Sequence, residues 1–206
     1  MRTSKVYIDV YYYTDKTTGK EYARTVAGIF FDYTDKKFEE IVITRTDNIA
    51  EYESGNFYKR ELPPILDVLD EIYRKGYKLD TIIVDGYVHM CEDDGKTYHP
   101  GLGKRLSDAL VGTNLEGIDI VGIAKHHYAF LHPDTVVEYE GAPTFIGEIP
   151  ANTKLPKKAM YITSNTDRTF HYASDIIAME KVQKGSKFSK LFTLVDQETK
   201  KFKHDS

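Results

Sequence analysis

Residues 79–86 read LDTIIVDG. The run Thr81-Ile82-Ile83-Val84 is too short for a helix and does not alternate, the pattern of a strand buried on both faces at a sheet's centre. Upstream, Ile65, Leu66, Val68, Leu69, Ile72 and Tyr73 recur at helical spacing. Pro63 and Pro64 suit that helix's first turn, and Gly76 suits its stop. Downstream, Leu102, Leu106, Ala109 and Leu110 predict a second helix ending near Gly112, and IDIVGIAK (118–125) reads as a second buried strand. Strand, helix and strand in this order imply two parallel neighbours joined by a right-handed crossover.

The opening of the chain has a different rhythm. Val6, Ile8 and Val10 alternate with Tyr7 and Asp9. The polar stretches 14–21 and 32–37 separate this strand from ARTVAGIFF (23–31) and FEEIVITR (38–45). Two short turns joining three strands imply an antiparallel meander, because a parallel pair needs a much longer connection. The predicted class is α/β, a mixed sheet of antiparallel meander plus parallel strands flanked by helices. Further along, 135–140, 143–149 and 157–164 read as strands and 174–184 as a helix. Phe188, Leu191, Phe192 and Val195 form one more apolar stripe before a polar tail from about residue 200. With no repeat, low-complexity tract or Gly/Ser linker, residues 1–206 are expected to form a single domain.

The 206 residues are 41% hydrophobic, enough for a chain of this size to bury about 70% of its extended surface. A net charge of -4 excludes a strongly cationic nucleic-acid coat and leaves room for a local basic groove. The one cysteine, Cys91, excludes an intrachain disulfide framework and a multi-cysteine zinc site, and it fits a reducing cytoplasm. No apolar run approaches the ~18 residues of a membrane span, and the amino terminus lacks a signal h-region. The expectation is a cytoplasmic protein with no membrane association.

Chemistry points to carboxylates in apolar settings. Asp9 interrupts the first strand, Asp85 ends TIIVDG, and Glu61 stands ahead of the first helix behind Arg60. Charged groups are rarely buried unless paired or bound to metal. In open α/β sheets the site lies beyond the carboxyl ends of the parallel strands, where Asp85 is expected. Convergence of Asp9 and Asp85 would make a hard oxygen site suited to Mg²⁺. A lysine at the end of the neighbouring strand, Lys125, could pair with a phosphate. The same residues admit plainer readings. Asp85-Gly86 is a common turn pair, Asp9 could face solvent, and Glu61 is an ordinary first-turn acid.

At these residues the sequence resembles the endonuclease V family of deoxyinosine-directed nucleases, which has a ribonuclease H-like fold. VYIDVYYY resembles the family's first strand, whose aspartate binds metal. EYESGNFYKRELPPIL (51–66) matches its Tyr-x-x-Gly to Arg-Glu segment at Tyr52, Gly55, Arg60 and Glu61. IIVDG resembles the strand with the second metal aspartate, VGIAK the strand ending in an active-site lysine, and HPGLG (99–103) the family's His-Pro run. The resemblance implies a metal set of Asp9, Asp85 and Glu61 holding Mg²⁺, with Mn²⁺ as a substitute, and Lys125 as a fourth catalytic group. It implies nucleic-acid contacts at Tyr52, Gly55, Gly86 and His99. The implied activity is hydrolysis of the second phosphodiester 3′ to inosine or deoxyinosine in DNA or RNA, leaving a 5′-phosphate, in DNA repair by a monomer.

The chain departs from the family at three places. Glu51-Tyr52-Glu53-Ser54 stands where a Pro-Tyr-Ile-Pro-type wedge is usual. An insertion between Asp85 and His99 leaves His89 and His99 competing for one family position. Asn165 or His171 fills a position near the carboxyl end. These departures support two alternatives, a nucleic-acid-binding relative without turnover and another metal-dependent phosphohydrolase. Other residues carry bland expectations: His126-His127 a solvated loop rather than metal ligands, Tyr11-Tyr12-Tyr13 packing rather than base stacking, and Lys154, Lys157 and Lys158 a solvated cationic loop. Cys91 receives no role.

Overall fold

The computed structural model describes residues 2–53, 56–91, 97–127, 131–156, 159–182 and 190–201. Its elements run β1 (Ser4–Thr14), β2 (Glu21–Phe30), β3 (Glu40–Asp47), α1 (Tyr58–Arg74), β4 (Leu79–Asp85), β5 (His89–Cys91), β6 (Tyr98–Pro100), α2 (Leu102–Ala109), β7 (Asp119–Ala124), β8 (Val136–Tyr139), β9 (Ala142–Phe145), β10 (Tyr161–Ser164), α3 (Thr169–Val182) and α4 (Lys190–Thr199). By its internal contacts the chain divides into two compact units, Met1–Asp80 with Lys190–Ser206, and Thr81–Ser189.

The first unit is the expected meander. β1 pairs antiparallel with β2, and β2 with β3. Directly opposed residues share a face, so Tyr12, Ala23 and Thr46 lie on one side, and Asp9, Val26 and Ile43 on the other. α1 covers the first face, where Thr46 hydrogen-bonds Asp67 and the Arg60 guanidinium lies over the Tyr12 ring. α4 covers the second. Tyr7 stacks on Phe192, Arg24 pairs with Glu198, and the Tyr13 hydroxyl donates to the Thr199 carbonyl at 2.6 Å. The sequence pattern placed Pro63 and Pro64 in the first turn of α1 and Glu61 ahead of it. The helix instead begins at Tyr58, so Glu61 lies within it and the prolines fall in the second turn. The cause is upstream: the amides of Lys59 and Arg60 bond back to Asn56 and Phe57, opening the helix before the prolines are reached.

The second unit carries a mixed sheet. β4 and β7 are parallel, with Asp85 opposite Ile123, and β10 pairs antiparallel with both β7 and β8. β8 and β9 form a hairpin. Ile82, Ile83, Val84, Ile120, Val121 and Ile123 are wholly buried, as a run without polar alternation requires. The insertion beyond Asp85 brings an antiparallel hairpin, β5 with β6. Two expected elements differ in extent. The stretch 143–149 breaks into β9 and a 3₁₀ turn, Ile146–Glu148, because the Ile146 amide bonds to the Thr135 carbonyl. α3 begins at Thr169, ahead of the apolar residues that signalled it. Of the last apolar stripe, Leu191, Phe192 and Val195 are buried in α4, whereas Phe188 lies outside the described residues.

After Asp85 the chain turns back over β7, and one glycine admits it. A Cβ on Gly122 would stand 2.3 Å from the Gly86 carbonyl oxygen and 2.9 Å from the Val88 amide nitrogen. Both are backbone atoms, and Val88 is held there by donating to the Thr163 hydroxyl at 2.8 Å. Gly122→Ala is therefore expected to destabilise the fold by ~2 kcal/mol, measured by urea denaturation. A loss below ~0.5 kcal/mol would show that this crossing is looser than described.

Candidate functional site

The parallel register of β4 and β7 places two chemically active side chains together. Ile123 stands opposite Asp85, and Lys125, two residues on, returns to the same face. The Lys125 Nζ donates to Asp85 Oδ2 at 2.7 Å. Both side chains are about one-third exposed, 29% and 33%, so the pair contributes at most about 1 kcal/mol to stability. Its position, at the carboxyl ends of adjacent parallel strands, is where α/β sheets bind ligands. Gly86 follows at φ 148°, a conformation that side-chain-bearing residues rarely adopt, and its amide continues the ladder to the Ile123 carbonyl.

Asp9 and Glu61 belong to the other unit. Asp9 is buried on the α4 face of β1, where its Oδ2 accepts the Thr199 hydroxyl at 2.9 Å. Glu61, in the first turn of α1, acts on Tyr12. Burial first, and then the Glu61 carboxylate, raise the Tyr12 phenol well above the ordinary tyrosine range, while Arg60 works against the rise. Arg60 is only 7% exposed. It reaches Glu21 at 3.0 Å and lies 4.4 Å over the Tyr12 ring, and among the described residues its Nε has no hydrogen-bond partner. Tyr12 thus holds this cation through its ring face, a contact that the Tyr11-Tyr12-Tyr13 run gave no means of singling out.

The residues expected to contact nucleic acid have different settings. Tyr52 is 67% exposed and meets Phe57, 45% exposed, edge to face at 6.2 Å between ring centroids. Phe57 was not singled out from the sequence, because exposure of a lone aromatic leaves no trace in periodicity. Gly55 lies outside the described residues, as do Lys157 and Lys158. His99 sits on β6 opposite Met90, its Nδ1 buried and without a hydrogen-bond partner among the described residues. His89 lines a different place, a cavity of about 340 Å³ shared with Tyr98, His132 and Thr163. Asn165 spends its side-chain amide on the backbone of Ile118 and Ile120. His171 is exposed on α3, 3.5 Å from Asp175. Cys91 is buried.

Among the described residues no group of three or more His, Cys, Asp or Glu is placed to hold an ion. Mg²⁺ asks for less, since it retains water and is commonly held by one or two carboxylates plus substrate phosphates. Asp85 offers such a carboxylate. Among the described residues no helix is long and apolar enough to cross a membrane.

A mixed α/β fold with an acid and a lysine at parallel strand ends defines the class. No protein-family model and no curated protein sequence matches the chain. Solved structures of endonuclease V proteins do match, over nearly the whole chain. The protein from Bacillus subtilis is 21% identical, with a TM-score of 0.67 covering 98% of this chain and 81% of that one. The catalytic domain of human endonuclease V gives 13%, 0.62, 98% and 83%. The Ciona intestinalis endonuclease V, bound to a 24mer DNA containing an inosine followed by a ribo-adenosine, gives 12%, 0.64, 98% and 86%. The chain has the endonuclease V fold.

Two outcomes follow from these environments. Tyr12→Phe keeps the ring under Arg60 and is expected to change stability by less than ~0.5 kcal/mol, whereas Tyr12→Leu should cost ~2 kcal/mol by removing a desolvated cation–π contact. Equal losses in the two variants would assign the role to the hydroxyl instead. His89 is held below the ordinary histidine range, mainly by burial and then by His132 and Lys104, with Asp134 and Asp108 opposing. The unfolded chain therefore takes up this proton first as the pH falls. Stability should be complete above the ordinary histidine range and decline below it, and His89→Gln should flatten that part of the curve of urea midpoint against pH.

Proposed function

We propose that the protein is a metal-dependent endonuclease that cuts inosine-containing DNA or RNA at the second phosphodiester on the 3′ side of the altered base, leaving a 5′-phosphate. The observation that carries this reading is the Lys125–Asp85 pair at the ends of β4 and β7 within an endonuclease V fold. The inosine-containing DNA bound by the Ciona protein supports the substrate class.

Asp85 would hold Mg²⁺ or Mn²⁺ as a single protein carboxylate, with water and substrate oxygens completing the shell. The bound ion supplies a lowered water pKa and neutralises charge on the phosphate. When substrate enters, the Lys125 ammonium exchanges the Asp85 carboxylate for a phosphate oxygen. It then stabilises the charge that builds there, where electrostatic help counts most. Gly86 presents no side chain of its own beside Asp85, which leaves an unstacked base a closer approach to its backbone. The exposed Tyr52, backed by Phe57, would occupy the gap in the stack. Of the acids beside it, Glu53 is paired with Lys59 at 2.8 Å, which leaves Glu51 as the one that opposes phosphates there.

The test is cleavage of an end-labelled strand with one inosine, as DNA and as RNA, in Mg²⁺. Lys125→Met is expected to lower kcat by about 10²–10³, and Asp85→Asn to remove cleavage. If the wild-type protein cut neither strand above the Asp85→Asn background, the nuclease reading would fail.

A further inference from the structure

The second unit holds a cavity of about 260 Å³ that opens directly beside Lys125, walled by His126, His127, Thr153, Leu155 and Tyr161. We propose that it is a subsite for a single nucleotide of the strand, the one adjoining the phosphate to be cut. This rests on the nuclease reading above and adds where the neighbouring residue of the substrate is held.

The lining mixes two chemistries. The Lys125 ammonium and two exposed imidazoles are three sources of N–H that suit a phosphate. Leu155, Pro156 and Tyr161 add apolar surface among them. Thr153 already donates its hydroxyl to the Pro150 carbonyl at 2.7 Å, so toward a ligand it acts as an acceptor, suited to a sugar hydroxyl or a base N–H. N–H donors for an anion, apolar surface and one acceptor gathered in one small cavity describe a nucleotide better than a free phosphate or an apolar ligand. The volume lies just under the ~300–1,000 Å³ of ordinary small-ligand sites, which limits the occupant to one such unit.

The cavity has a firm frame. Tyr161 is buried on β10 opposite Ala124, and it packs with Ala124, Val137 and Ala159. The His127 ring meets Tyr161 edge to face at 5.5 Å. The Tyr87 hydroxyl donates to the His126 carbonyl at 2.7 Å and so pins the chain just past β7. Lys154, exposed and next to Thr153, adds positive charge on the same loop. The two adjacent histidines read from sequence as a solvated loop are exposed. They also stand within one cavity with Lys125.

The probe is deoxythymidine 3′,5′-bisphosphate, titrated into the full-length protein in EDTA and followed by NMR and calorimetry. Binding is expected in the millimolar range, with shifts concentrated at His126, His127 and Tyr161. The double variant His126→Ala/His127→Ala should bind about tenfold more weakly, Lys125→Met should weaken binding similarly, and His171→Ala on α3 should leave it unchanged. Inorganic phosphate should bind more weakly than the bisphosphate, and equal affinity would overturn the nucleotide assignment. No binding below about 10 mM, unchanged affinity in the double variant, or shifts confined to other regions would overturn the subsite. Because the titration needs neither metal nor turnover, a protein that binds but does not cut would sink the nuclease reading alone, and one that cuts without this binding would sink the subsite alone.

Discussion

The parallel ladder between β4 and β7 is the constraint on which the functional geometry depends. Asp85 stands opposite Ile123, and the period of two along a strand brings Lys125 back to the same face. The 2.7 Å contact between them follows from that register. A slip of one residue would turn Lys125 to the opposite face and dissolve the pair. The register is in turn protected by the apolar strands on which it rests, and by Gly122, which lets the chain beyond Asp85 cross within backbone contact distance. An ion pair as exposed as this one stabilises little. What it does provide is an anion and a cation side by side at a sheet end, the arrangement on which the proposed exchange with a metal ion and a phosphate depends.

Much of this was legible in the chain because the relevant signals are local. An apolar run closed by Asp-Gly, and another closed by Lys, identify the two strands and the ends at which chemistry gathers. The meander was equally readable from alternation and short turns. What escaped the sequence depends on three-dimensional neighbours. The start of α1 shifted because backbone bonds from Lys59 and Arg60 preceded the prolines that looked like its beginning. Gly122 looked like any strand glycine until its neighbours were known. Phe57 and Tyr161 were legible only as members of a segment and a strand, yet one props an exposed tyrosine and the other frames a cavity.

The acids of the first unit show the same division. Their presence could be read from the sequence, but their surroundings could not. Asp9 is satisfied by the Thr199 hydroxyl from the far end of the chain, and the face of β1 that carries it is the one covered by α4. Glu61 is embedded in a helix start organised by Arg60 over Tyr12. A buried cation with an unpartnered Nε is costly to maintain, and the aromatic face beneath it offsets part of that cost.

The claim that matters most is that Asp85 binds a divalent ion while Lys125 is released to meet phosphate. Its most direct measurement is the anomalous scattering of Mn²⁺ in crystals grown with the ion and a non-cleavable inosine-containing strand. The account predicts an anomalous peak within about 2.2 Å of an Asp85 carboxylate oxygen, with the Lys125 ammonium moved from that carboxylate to the scissile phosphate. A strand bound with no peak at Asp85, and Lys125 still paired to it, would contradict the account.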